Sequence, residues 1–129
     1  LEGTTNGTYC IGNIVLDGEM TTDPIVFTIE NGRITKIEGK NAAKVEAMIP
    51  EHELSRSVGE LGIGTNPMAK LTGVILEDEK AYQTVHIAFG TNIGFGGTNK
   101  ADCHIDGIIK NPTLYLDDVL VLKDGAFQI

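Results

Sequence analysis

The segment His104-Ile105-Asp106 places an imidazole and a carboxylate two residues apart. In a strand, side chains at i and i+2 project from the same face. Such a pair chelates one divalent ion, or acts as a general base with its orienting partner. On a solvated strand it is only a His–Asp hydrogen bond. Three further positions belong with it. Glu60 sits in the apolar run Val58 to Ile63, with no basic residue between Arg56 and Lys70. A carboxylate taken out of water needs a partner or a metal; the alternative is a solvent-facing side of the strand. His86 lies in Thr84-Val85-His86-Ile87-Ala88-Phe89, either as a ligand or as a hydrogen-bonded core histidine. The run Glu77-Asp78-Glu79-Lys80 reads as a solvated helix start, favoured by the helix dipole, with room for Glu79 to be a ligand.

Together Glu60, Glu79, His86, His104 and Asp106 form a mixed nitrogen and oxygen donor set. It suits Zn, Mn, Co or Fe(II) and is poor for purely hard Ca or Mg sites. Two ions bridged by a carboxylate would make a hydrolase centre for an amide or a phosphate ester. HExxH, GxSxG and zinc-finger spacings are absent, and Gly90 to Asn99 is glycine-rich without the pattern of a phosphate loop. His52 reads as a surface residue. Cys10, in an apolar run, reads as a small buried hydrophobe. Cys103 has no CxxC partner, so reduced thiols are expected.

The elements that carry these residues read as short strands punctuated by 16 glycines. Strands are expected at Thr8 to Leu16 (closed by Asp17-Gly18), Pro24 to Ile29, Arg33 to Ile37, Val58 to Ile63, Thr84 to Phe89, Cys103 to Ile109 and Thr113 to Leu122. Asn31-Gly32 predicts a hairpin, and Asp124-Gly125 turns another into Ala126 to Ile129. Asn41 caps a helix over Asn41 to Met48. Glu51 to Arg56 reads as a further helical turn behind Pro50, and Glu77 to Gln83 as a helix. The pattern is α+β: one β-rich domain with a mixed or antiparallel sheet and one or two helices.

The chain of 129 residues has the size of one domain, and its net charge is -8. That charge offers no basic face for nucleic acid and argues against anionic membranes. No apolar run reaches the roughly 20 residues of a membrane span, and Leu1 to Thr8 lacks the pattern of a signal peptide. A cytoplasmic protein is expected.

The segments Glu60-Leu61-Gly62-Ile63-Gly64-Thr65-Asn66-Pro67, Glu77-Asp78-Glu79-Lys80 through His86-Ile87-Ala88-Phe89-Gly90, and His104-Ile105-Asp106 stand in order behind Glu2-Gly3-Thr4-Thr5-Asn6-Gly7-Thr8. This set resembles the C-terminal part of the thermophilic-type metalloaminopeptidases, the aminopeptidase T and aminopeptidase S family, also called leucyl aminopeptidase-like. The resemblance implies a centre of two Zn, Mn or Co ions, held by Glu60, Glu79, His86, His104 and Asp106. Glu60 would be the bridging and catalytic glutamate, and metal-activated water would attack a peptide substrate behind its N-terminal residue. It also implies that residues 1–129 are the metal-binding C-terminal domain of a longer, homodimeric enzyme, because a further glutamate ligand of the family would precede Leu1. A tyrosine of the family, seven residues after the histidine, is replaced here by Ile93.

Two other readings stand beside it. A ring-cleaving dihydroxypyridine dioxygenase resembles the same superfamily and uses a His-x-Asp pair; His104, Asp106 and one more ligand would then hold a single Fe(II). The third reading is a non-catalytic binding or assembly module, whose edge run Leu114 to Leu122 pairs with another subunit.

Overall fold

The hairpin at Asn31-Gly32 sets the first sheet. Both residues have positive φ, 51° and 76°, the backbone a two-residue hairpin loop requires. They join β4 (Ile25–Glu30) to β5 (Arg33–Gly39), and β1 (Gly7–Ile11) pairs with the far edge of β4, giving the order β1-β4-β5. The structure, a computed structural model, describes every residue except Asn13, Asp17, Gly18 and Glu53, with residues 15, 16, 19 and 20 described by backbone alone. Two more strands, β2 (Ile14–Leu16) and β3 (Glu19–Thr21), pair with each other.

Helix α1 (Ala42–Met48) packs Val45 into the core. Asn41 stands at its N-terminus without a capping bond; its amide instead donates to Thr21 Oγ1 and Asp23 Oδ2 at 3.2 and 3.3 Å. The second sheet has the order β6-β7-β8, from Val58–Gly64, Thr84–Gly90 and His104–Lys110. Between β6 and β7 lies the one-turn helix α2 (Ile75–Asp78). The chain ends in β9 (Leu114–Leu116), β10 (Val119–Lys123) and β11 (Ala126–Phe127), a small sheet of order β11-β10-β9. All the strand pairs are antiparallel, so the fold is α+β and β-rich as expected. No helix among the described residues is long and apolar enough to cross a membrane.

Apolar residues alternate along β7, so Ile87 and Phe89 face the first sheet and pack with Tyr9, Ile11, Phe27 and Val45. The Phe27 and Phe89 rings meet at 4.9 Å between centroids. Val85 packs at the other end of the strand with Val121 and Leu122. The opposite face of β6-β7-β8 is therefore free to carry polar residues.

Several expectations change. The strand expected over Thr8 to Leu16 is two strands, β1 and β2, and the expected Asp17-Gly18 turn lies outside the described residues. Cys10 is exposed, not buried, because Tyr9 and Ile11 take the inward positions of β1 and period two sends their neighbour outward. Thr113 to Leu122 is a hairpin, broken where Asp117 takes a positive φ of 52°. The described part of Glu51 to Arg56 forms turns, and the helix expected over Glu77 to Gln83 starts earlier, at Ile75, and stops after one turn.

Candidate metal centre

Register brings four of the expected residues onto one face of the second sheet. Glu60 and Asp106 both lie opposite Ala88, from its two sides; His86 lies opposite Gly62, and His104 opposite Gly90. Three strands thus deliver four ionisable side chains to one spot. Glycine makes the room: a Cβ on Gly62 would fall 2.1 Å from His86 Cε1 and 2.2 Å from its Nε2. The His86 ring lies over that bare backbone.

Glu60 forks between the two imidazoles. Its Oε1 is 3.1 Å from His86 Nε2 and its Oε2 is 3.3 Å from His104 Nε2; that nitrogen is also 3.5 Å from Asp106 Oδ1. The Glu60 to His104 approach is within ion-pair range but not aligned as a hydrogen bond. His104 Nδ1 lies 2.7 Å from the Thr91 carbonyl oxygen. A carbonyl can only accept, so that nitrogen carries a proton, and a neutral His104 turns the lone pair of Nε2 toward both carboxylates.

This arrangement fits a cation. Glu60 Oε2, His86 Nδ1 and Asp106 Oδ1 are buried without a hydrogen-bond partner, and buried lone pairs are ordinarily satisfied. Glu60, His86 and Asp106 can each offer one ligand atom, all within 4.8 Å of one another. Burial pushes the Asp106 carboxyl above its ordinary range; His104 opposes the shift, Glu79 adds to it, His86 opposes it and Glu60 adds to it. A divalent ion would reverse that balance in favour of the carboxylate.

Glu79, the fifth expected ligand, is buried nearby, and Lys80 Nζ bonds its Oε1; like His104, it stands outside the three-residue group. The run around it is not the expected solvated face. Asp78 is fully buried, and its carboxylate accepts the backbone N–H groups of Thr72 and Gly73 at 2.7 and 2.9 Å. His52 is exposed, as expected. A cavity of about 570 Å³ is lined by Glu2, Glu30, Arg33 and Leu54 among others and contains none of the five.

Other residues that shape the site were not singled out by sequence reasoning. Buried Asn92 and Asn99 staple the glycine-rich loop after β7. The Asn99 amide donates to the carbonyls of Leu54 and Gly90, and its backbone N–H donates to Asn92 Oδ1 at 2.9 Å. Asn92 also reaches Glu2 and the Gly59 carbonyl. The loop thereby holds the Thr91 carbonyl against His104. Behind the sheet, the Tyr9 hydroxyl accepts the Ile87 N–H at 3.1 Å and donates to the Gly107 carbonyl. The two asparagines bounding a glycine-rich run were the visible signal; for Tyr9 there was none.

Comparison with known proteins follows the same lines. The family model described as NicX: 2,5-dihydroxypyridine 5,6-dioxygenase matches residues 2–129. A 2,5-dihydroxypyridine 5,6-dioxygenase of Pseudomonas putida is 28% identical over 128 residues, covering 89% of this chain and 37% of the relative. The chain therefore spans little more than a third of that relative's length. The solved structure of 2,5-dihydroxypyridine dioxygenase from Pseudomonas putida KT2440 superposes with a TM-score of 0.85 at 25% identity, over 98% of this chain and 41% of that one. AmpT from Thermus thermophilus superposes with a TM-score of 0.77 at 22% identity, over 99% and 38%. At that identity the aminopeptidase likeness is one of fold. The expectation of an aminopeptidase, with hydrolysis and proteolysis as its work, is overturned by the family match; the two groups share the scaffold, and the ordered motifs recorded that scaffold. The chain belongs to the 2,5-dihydroxypyridine 5,6-dioxygenase (NicX) family.

Proposed function

We propose that this chain is the metal-binding part of a ring-cleaving dioxygenase that acts on a hydroxylated pyridine-type ring. The observation that carries the reading is the face of β6-β7-β8, where Glu60, His86 and Asp106 can each offer a ligand atom within 4.8 Å of the others. The family match over residues 2–129 supports the class of reaction. Imidazoles with carboxylates and open positions suit a single Fe(II).

Glu60, His86, His104 and Asp106 would hold the ion. Bound there, it would supply the one-electron chemistry that lets dioxygen react with a stable aromatic ring. His104 is oriented by the Thr91 carbonyl, which keeps its Nε2 available. Glu60 Oε1, 3.1 Å from His86 Nε2, orients that imidazole. Asp106 and Glu60 bring the negative charge that balances a divalent ion.

The test is oxygen uptake by the chain loaded anaerobically with Fe(II), then given 2,5-dihydroxypyridine and air. The expected result is uptake that needs both ring and iron and falls at least about hundredfold in Asp106→Asn. An iron-loaded chain without uptake, or one that instead releases leucine from a chromogenic amide, would contradict the reading.

A further inference from the structure

Phe95 is out of place by ordinary rules. It is 68% exposed, yet its ring stands 5.9 Å from the His104 ring, centroid to centroid, at an interplanar angle of 39°. It sits on the one-turn 3-10 segment Ile93–Phe95, at the tip of the loop that Asn92 and Asn99 fix from beneath. Gly94 and Gly96 on either side have open space where a Cβ would be. A large apolar side chain in water, on a pinned loop, beside a ligand candidate, has a free aromatic face.

His104 also borders a cavity of about 120 Å³, lined by Met48, Ile75, Ile105 and Asp106. Apart from Asp106 and His104 its walls are apolar. An apolar cavity of roughly 150 Å³ is enough for benzene, so this space is of the order of a single six-membered ring.

We propose that Phe95 is the positioning residue for an aromatic substrate: a ring enters beside His104 and stacks on Phe95. This rests on the ring-cleavage reading and adds the residue that holds the flat ring. Offset or tilted stacking is the geometry in which two aromatic rings attract.

The experiment measures binding without turnover, with the chain loaded with Zn and 2,5-dihydroxypyridine titrated by calorimetry. Phe95→Ala is expected to weaken ring binding about tenfold while Zn affinity stays within about twofold of wild type. Phe95→Trp keeps the stacking face, and because the chain has no tryptophan its fluorescence reports the ring directly. Quenching that saturates with the calorimetric isotherm is expected. Equal ring affinity in wild type and Phe95→Ala, or no quenching in Phe95→Trp while the ring binds, would overturn the assignment of Phe95 and leave the ring-cleavage reading standing. A wild-type chain that holds Zn but binds no ring would contradict both.

Discussion

Gly62 shows how one missing side chain builds the centre. His86 occupies the space where a Cβ would otherwise stand, within 2.9 Å of three ring atoms. Gly62→Ala must therefore push the imidazole off the sheet or bend β6. The expected cost is about 1–3 kcal/mol of stability, with metal affinity reduced about 10–100-fold because a ligand has lost its support. Thermal melts with and without metal check this: a wild-type metal-induced shift in Gly62→Ala would contradict it. That these four side chains could meet was legible. His104 and Asp106 share a face by strand periodicity, and Glu60 and His86 stood out as ionisable groups in apolar runs. The ion pair of Glu79 with Lys80 could not be read, because a ligand and the partner of a neighbouring lysine look alike in sequence. Nor could sequence show that His104 borrows its orientation from Thr91, a contact across a glycine-rich loop.

The strands and turns carry the next level of the account. Asn31-Gly32 and Asp124-Gly125 announced their hairpins, since positive φ at paired positions is chemistry a sequence displays. The breaks near Gly12 and at Asp117 were hidden inside apolar runs that read as continuous. Tyr9 ties these elements together. From β1 its hydroxyl joins the β7 N–H of Ile87 to the β8 carbonyl of Gly107, directly behind His86 and Asp106. Tyr9→Phe removes both hydrogen bonds of the buried hydroxyl, an expected loss of about 1–3 kcal/mol. The phenol also predicts a pH dependence. Burial raises its pKa above the ordinary 10.0, the Ile87 N–H opposes the shift and the charge of Asp106 adds to it. Above that ordinary value the unfolded chain has released the proton and the folded chain retains it. Stability therefore falls as pH rises through the alkaline range. Denaturant titrations at pH 8 and pH 11 should show a steeper alkaline loss in wild type than in Tyr9→Phe; parallel losses would show that the hydroxyl is not sequestered.

At the scale of the molecule, two sheets divide the labour. The first, with α1, closes the apolar core against one face of the second, and this leaves the other face of β6-β7-β8 to hold charge. That division explains why the scaffold was recognisable while the reaction was misassigned. The fold is shared with AmpT, whereas a fold alone does not decide the reaction it hosts. The -8 net charge likewise says nothing about the reaction; part of it is the buried carboxylate cluster that a cation would neutralise. The central claim is that this face is a metal centre for one ion. Its most direct measurement is Fe(II) bound per chain under anaerobic conditions, in wild type beside His104→Ala. One ion per wild-type chain, with affinity reduced at least about tenfold in the variant, is the predicted result. No binding, two ions per chain, or binding that His104→Ala leaves unchanged would contradict it.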